Sequence, residues 1–484
     1  MPVDRYGLWI RGEFVDSNRN ECFETRNPAD QSVIARVARG RGEDVDAAVR
    51  VARSTFESDE WQSMHPAERG RILLRTSELI RRNRDELATL ETLDNGKPLK
   101  QAQTDIEVSA RYFEYYAGVA DKILGETIPV SPGYIDFTQR EPFGVCALII
   151  PWNYPMQVAA RTAAPALAAG NTVVLKPAEE TPLTALKLGV LLKEAGLPDG
   201  AFNVVPGFGE EAGAALAAHP GIDHVSFTGS VPVGTEVMTS AAKNIVPVTL
   251  ELGGKSPNIV FADADLEEAA RWVVSSIIQN AGQTCSAGSR LLVELSIHDQ
   301  FLSMVKARLE SITVGPGIRN PDMGPIISEK QLRTVMGYIA LAEEEGAEIL
   351  TGGARLEDGE LARGFFVAPT LLDRVPQGGR VATEEIFGPV LSTLTFEDVD
   401  EAISIANETP YGLVAGVHTR DLSKALTVAK KVRAGQVFIN TYGAGGGVEM
   451  PFGGYGKSGF GREKGLEALL HFTQLKNVLI RYGS

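Results

Sequence analysis

The sequence predicts an α/β protein with a Rossmann-like dinucleotide-binding domain, a second α/β domain that carries the chemistry, and a small β hairpin. Three observations predict it. From 143 to 262, short apolar strands alternate with helical stretches of 10 to 15 residues, the rhythm of parallel βαβ units. After Glu251 the rhythm begins again. Between 123 and 141 it breaks, and a short hairpin belonging to neither neighbour is expected. A chain of 484 residues is too long for one compact core, so two or three domains are expected.

In order along the chain, residues 44 to 120 read as amphipathic helices. Asp44 is placed as a cap, with Val45, Ala48, Val49 and Ala52 on one face; Ile72, Leu73, Leu79 and Ile80 mark a second helix, and Ile106, Tyr112, Phe113 and Tyr116 a third. Ile128-Pro129-Val130, the turn Ser131-Pro132-Gly133 and Tyr134-Ile135-Asp136-Phe137 form the hairpin, an excursion suited to oligomer contacts. Then come strand Val145 to Ile150, a small-residue helix Pro155 to Ala169, strand Thr172 to Leu175, helix Thr181 to Ala195, and strands at Phe202 to Val205 and Val225 to Phe227. The second domain opens with strand Asn258 to Phe261 and helix Leu266 to Asn280, and continues through strands at 291–293, 348–350 and 436–439. The run Gly443 to Gly447 reads as a flexible loop near a ligand mouth.

Composition narrows the function. A net charge of -15 argues against nucleic acid or an anionic membrane as partner. The longest clean apolar run, Val145 to Ile150, is far short of a membrane span, and no secretory h-region opens the chain, so a cytoplasmic protein is expected. Cys22, Cys146 and Cys285 lack any C-x-x-C spacing, and the six histidines are dispersed; neither disulfides nor a metal site is expected.

One cysteine stands apart. Cys285 lies in Gly282-Gln283-Thr284-Cys285-Ser286-Ala287-Gly288, where small neighbours leave the sulfur approachable, whereas Cys146 sits in an apolar strand and Cys22 in a polar terminal region. Glu251, in the glycine turn Glu251-Leu252-Gly253-Gly254-Lys255, supplies a candidate base, because a thiol needs one or a lowered pKa to act as nucleophile. Asn153, in Pro151-Trp152-Asn153-Tyr154-Pro155, offers a side-chain N–H to an oxyanion, although this run is also an ordinary turn.

A nucleotide site is expected at the strand ends. Phe227-Thr228-Gly229-Ser230 leaves a strand and opens a helix, as phosphate sites do and as any tight βα turn does. Lys176 and Glu179 follow another strand. They suit ribose hydroxyls, and the carboxylate repels a 2′-phosphate, which favours NAD over NADP; a surface ion pair is the alternative.

These motifs, with Glu384-Glu385-Ile386-Phe387-Gly388-Pro389 and Pro451-Phe452-Gly453-Gly454, stand in one order over essentially the whole chain, and together they resemble the non-acylating, NAD(P)-dependent aldehyde dehydrogenase superfamily. The resemblance implies that Cys285 attacks an aldehyde to give a thiohemiacetal, that Asn153 holds its oxyanion, that oxidation leaves a thioester, and that Glu251 activates the water that releases the acid. Glu251 sets the chain apart from the CoA-acylating branch, which lacks it. Further implied are cofactor contacts from Pro151, Trp152, Lys176, Glu179, Gly229, Ser230, Leu252, Glu385 and Phe387, and a substrate pocket of Tyr154, Gln157, Arg161, Thr284 and Ser286. The implied domains are NAD-binding (1–121 and 143–252), catalytic (253–454) and an oligomerisation segment (122–142 and 455–484) that makes homodimers or homotetramers. Arg161 stands where many relatives carry tryptophan. Relatives acting on semialdehydes or small hydroxyaldehydes resemble this chain there, and guanidinium suits such groups, so a small polar or anionic aldehyde is expected rather than an apolar, aromatic or amino aldehyde. The alternative is that Arg161 pairs with a neighbouring acid. A cysteine esterase or acyl-transferase without redox, or a catalytically dead relative, are the readings from other classes.

Overall fold

The computed structural model describes residues 4–443 and 447–482, so Ala444-Gly445-Gly446 of the expected loop lie outside the described residues. The first sheet has eight strands, in the spatial order Gly459–Phe460, Val248–Glu251, His224–Thr228, Val145–Ile149, Thr172–Lys176, Phe202–Val204, Leu8–Ile10 and Glu13–Val15. The five central strands are parallel. In chain order they run outward from Val145–Ile149 to Phe202–Val204, then return to its other side and run the opposite way. The reversal opens a crevice beyond the carboxyl ends of Val145–Ile149 and His224–Thr228, the place where sheets of this kind bind ligands.

Helices cover both faces, so these strands are buried throughout, and this is why they read as apolar runs rather than alternations. Pro155–Ala169 is buried almost all round because ten of its fifteen residues are alanine, proline or threonine, small enough to be packed from every side; it stops at Gly170 in the left-handed region. The N-terminal helical region resolves into Gly42–Phe56, Pro66–Arg82, Arg84–Asn95 and Leu99–Val119. The first begins earlier than expected. Arg41 is its cap residue, and Asp44 sits in the first turn, where its carboxylate accepts the Arg41 N–H at 2.9 Å. Before these helices, Asp4–Tyr6, Val33–Ala38 and Cys22–Arg26 pair as a separate small sheet that the sequence pattern did not reveal.

The second sheet has seven strands, ordered Glu348–Thr351, Thr370–Asp373, Val390–Phe396, Arg290–Glu294, Pro257–Val260, Val414–His418 and Gln436–Ile439, parallel except at the Glu348–Thr351 edge. A third sheet joins Thr127–Ile128, Tyr134–Pro142 and the C-terminal strand Thr473–Arg481, whose nine residues pair antiparallel with Tyr134–Pro142. Within 455–484, Gly459–Phe460 edges the first sheet instead, pairing with Leu250 and Glu251.

Candidate active site

The cysteine turn is shaped by backbone. Helix Leu266–Ile278 ends and is followed by Asn280, Ala281 and Gly282, all at positive φ (48°, 55° and 72°). Two consecutive left-handed non-glycine residues are costly, and such strain concentrates at functional turns. At Gly282 a side chain is impossible, since a Cβ would stand 2.1 Å from the Gly388 carbonyl oxygen. The buried Gln283 clamps the turn, donating to the Asn280 carbonyl (2.9 Å) and accepting the Ile327 N–H (2.9 Å). Cys285 emerges half-buried, and its backbone N–H has no acceptor among the described residues.

Glu251 ends its strand, and the turn after it packs directly on the cysteine loop: a Cβ on Gly254 would meet the Cys285 carbonyl oxygen at 2.5 Å. The Glu251 carboxyl is 1% exposed, and neither oxygen has a hydrogen-bond partner among the described residues. Burial, reinforced by the nearby Glu463, holds its pKa well above the usual carboxylate value. Burial also pushes the Cys285 thiol up to about 12, against the opposing pull of Arg161. Burial thus favours the neutral form of each group, and no hydrogen bond joins them among the described residues. Proton transfer between them needs water or substrate in the gap.

Asn153 lies where Val145–Ile149 gives way to the helix Pro155–Ala169. Its side-chain NH2 donates to the Gln283 carbonyl at 3.0 Å, which orients the amide and leaves its second N–H for another acceptor. The Asn153 carbonyl is held in turn by Asn280 Nδ2 at 2.9 Å, and Asn95 Nδ2 donates to the Trp152 carbonyl at 2.9 Å. Tyr154 OH meets Thr284 Oγ1 at 2.9 Å, and the Ser286 carbonyl accepts the Tyr442 hydroxyl at 2.7 Å. The three motifs, far apart in sequence, thus share one cleft.

The crevice supplies the other half. Lys176 Nζ meets Glu179 Oε2 at 3.0 Å at the end of its strand. Ser230 caps the helix Val231–Ala242 without using its side chain, and it is exposed. The Gly229 N–H is already taken by the Glu251 carbonyl at 3.0 Å, so the donors left for an anion are those of Ser230 and the first helical turn. The Thr228 hydroxyl is buried there without a partner. Nearer Cys285, Glu385 accepts the Gly254 N–H at 3.0 Å, and a Cβ on Gly253 would meet that carboxylate at 2.1 Å. Burial raises Glu385 to about 7. Phe387 stands at φ 57° with its ring edge-on to Trp152, centroids 5.3 Å apart. Leu252 is buried against Gly234. Unpartnered donors, ribose-type ligands and an aromatic wall line one crevice, and this donor set fits a dinucleotide.

The whole chain follows the same plan as proteins already known. Residues 14–478 match the model of the aldehyde dehydrogenase family. The chain belongs to that family. It is 47% identical to aldehyde dehydrogenase 1 of Tanacetum cinerariifolium over 97% of this chain and 94% of that one. It is 45% identical to a mitochondrial aldehyde dehydrogenase of Mesocricetus auratus, covering 98% and 95%. Among solved structures, the NAD+ complex of aldehyde dehydrogenase from Bacillus cereus superposes with a TM-score of 0.97 at 44% identity, covering 99% of this chain and 97% of that one. Betaine aldehyde dehydrogenase from Staphylococcus aureus, also solved with NAD+, gives 0.97 at 40% identity, covering 99% and 95%.

Within this aldehyde dehydrogenase cleft, Arg161 is 6% exposed, and its Nε lies 2.5 Å from Glu463 Oε2, the pairing with an acid that the sequence left open. Its two Nη groups have no hydrogen-bond acceptor among the described residues. Gln157, one turn earlier on the same helix, is half-buried. Sequence reasoning missed Glu463 and Lys464. They lie in Gly461-Arg462-Glu463-Lys464-Gly465, where a charged triplet between glycines reads as a surface loop. The available signal was the glycine spacing: Gly461 and Gly465 both stand at positive φ, 89° and 61°. Among the described residues, no group of three potential metal ligands gathers, and no helix is long and apolar enough to cross a membrane.

Proposed function

We propose that this chain oxidises an aldehyde to its carboxylic acid with NAD, through an acyl-enzyme on Cys285. The observation that carries the reading is the buried, unpartnered Glu251 carboxyl, whose following glycine turn packs on the cysteine turn, since burial tunes a carboxylate's pKa upward towards that of a useful general base. The Cys285 thiol gives up its proton, through water, to the Glu251 carboxylate or to solvent, and the sulfur bonds to the carbonyl carbon. The resulting oxyanion is held between the remaining Asn153 N–H and the Cys285 backbone N–H. When bound, NAD accepts the aldehydic hydrogen with its electron pair. The thioester left on Cys285 is attacked by a water whose proton Glu251 takes. The acid departs, and the returning thiolate is reprotonated.

Lys176 and Glu179 would hold the adenosine ribose, the first turn after Gly229 the pyrophosphate, and Glu385 with Phe387 the nicotinamide end. A carboxylate at 179 disfavours a 2′-phosphate, so NAD is preferred over NADP. The substrate we assign is a small polar or anionic aldehyde. The free Nη groups of Arg161 support this, and a cleft holding both Arg161 and Lys464 repels a cation such as betaine aldehyde. A homodimer or homotetramer in the cytoplasm completes the reading. Its support is the apolar surface of the third sheet (Ile135, Leu475, Leu479 and Ile480) together with Met238 and Ile245 on the crevice helix and the turn after it, all exposed.

The test is direct: the protein is mixed with NAD or NADP and a panel of aldehydes, and NADH or NADPH absorbance is followed. Reduction of NAD with at least one aldehyde, lost in Cys285→Ala, is expected. An esterase without redox would give acid from an ester but no NADH.

A further inference from the structure

One aromatic ring carries two cations. Lys464 Nζ stands 4.9 Å from the centroid of the Phe452 ring, and Arg161 Cζ stands 5.2 Å from the same ring. Phe452 belongs to the small apolar cluster against which Cys285 packs. The nucleophile, the ring and both cations are therefore neighbours. The two cations are balanced differently. Arg161 faces Glu463 at 2.5 Å. Lys464 has no ion pair and no hydrogen bond among the described residues; the ring is its one compensating contact, a weak one. Arg161 is offset by Glu463, whereas Lys464 is a cation of the cleft without an ion pair among the described residues. It is half-buried.

Its backbone is unusual as well. Lys464 stands at φ 65° and ψ 168°, a positive-φ extended conformation that residues other than glycine enter only at a cost. Gly465 follows at φ 61°. The Lys464 side chain lies over Phe452 instead of out in solvent, where lysine is ordinarily found. Strain that points a charge at a reaction centre is an observation from which function is properly inferred.

We propose that Lys464 is a specificity-determining residue. Its ammonium takes the distal carboxylate of a short aldehyde whose carbonyl is presented to Cys285, with the Arg161 Nη groups as second donors. The substrate class is an ω-semialdehyde. The proposal rests on the aldehyde-oxidising reading above and narrows it to a charge and a residue. A neutral aldehyde of equal length gains nothing from Lys464, and a cationic one is repelled.

The experiment compares succinic semialdehyde with butanal in wild type, Lys464→Asn and Lys464→Arg. Asparagine, like lysine, is unbranched at Cβ, so its variant removes the cation without adding a β-branch to the strained backbone. A hydrogen bond to a charged group corresponds to about tenfold to a hundredfold in binding. The ratio of kcat/KM values, semialdehyde over butanal, is expected to fall by at least about tenfold in K464N and to be largely restored in K464R; the support Lys464 gives to the Cys285 thiolate and the Glu251 carboxylate acts on both substrates alike and cancels in the ratio. A preference for semialdehyde that survives undiminished in K464N overturns the assignment of Lys464 alone. Equal losses on both substrates in K464N, with no rescue by arginine, also overturn it, because they show a structural role. A wild type that prefers butanal overturns the anionic-substrate reading and this proposal with it.

Discussion

Replacing Glu251 with glutamine separates the two halves of the reaction. The substitution keeps the shape of the side chain and removes its basicity. Folding should tolerate it. Both Glu251 oxygens are buried without partners, at a cost of roughly 1–3 kcal/mol for each unmade bond, and no ion pair is broken by the change. Chemistry should not tolerate it. A positioned general base contributes about 10²- to 10⁴-fold, or roughly 3–5 kcal/mol of barrier, and in this site the contribution falls on thioester hydrolysis. Rapid mixing of Glu251→Gln with NAD and excess aldehyde should therefore give a burst of about one NADH per Cys285, followed by a steady rate lower by about two to four powers of ten. Mass spectrometry of the quenched protein should find the acyl group on Cys285. The pH profile gives a second readout. The Glu251 pKa is raised well above the usual carboxylate value, and only the deprotonated form accepts a proton from water. Deacylation in wild type should rise with pH through that raised value, and the limb should vanish in the variant. A burst-free E251Q enzyme that merely turns over slowly, with no acyl-Cys285, would refute the assignment of Glu251 to hydrolysis.

Other expectations follow from the same geometry. Asn153→Ala removes one oxyanion donor and should lower kcat about 10²- to 10³-fold without abolishing NAD binding; an unchanged burst rate would contradict it. Glu179→Gln removes the charge that faces a 2′-phosphate and should raise kcat/KM for NADP relative to NAD, measured with one aldehyde; an unaltered ratio would remove Glu179 from the ribose site. His224 lies between Phe143 and Phe472, and burial, with the neighbouring His471, lowers its pKa to about 3. The folded state thus binds this proton less readily than the unfolded one. The stabilising contribution is complete above the ordinary value near 6.5 and is lost as pH falls towards 3, amounting to roughly 2.7 kcal/mol two pH units below 6.5. His224→Phe should flatten the acid limb of Tm against pH, and a limb of unchanged slope would place the acid sensitivity elsewhere.

How far the sequence could be read depended on whether a feature was local. The strands and helices of the first sheet were legible because buried parallel strands are apolar runs and their helices end at glycine, as Pro155–Ala169 does at Gly170. Cys285 was legible because small neighbours announce an approachable side chain. The left-handed Asn280 and Ala281 ahead of the cysteine were not, since alanine gives no signal of positive φ and asparagine is common in helices and turns of either hand. The N-terminal sheet was missed because its strands are three to six residues long and half-exposed, too short for a clear period. The Arg161–Glu463 pair joins residues 302 positions apart, and no pattern along the chain registers such a contact.

The distribution of charge explains why the cleft needs its distant partners. Cys285 and Glu251 are each made less ionisable by burial, and bringing either to its charged form requires a compensating field. Arg161 supplies it to both, since it favours the thiolate and the carboxylate alike. Glu463 in turn favours the protonated form of Glu251. The ion pair therefore sets the nucleophile and the base against each other only weakly: whichever ionises draws on the same guanidinium. In the proposed mechanism the two reactive groups ionise in sequence, Cys285 at attack and Glu251 at hydrolysis, so one cation can serve both in turn. An anionic substrate adds a negative charge that Arg161 alone could not also balance. Lys464, which has no ion pair among the described residues and lends a smaller share of the same field to Cys285 and Glu251, is the second cation placed to balance it.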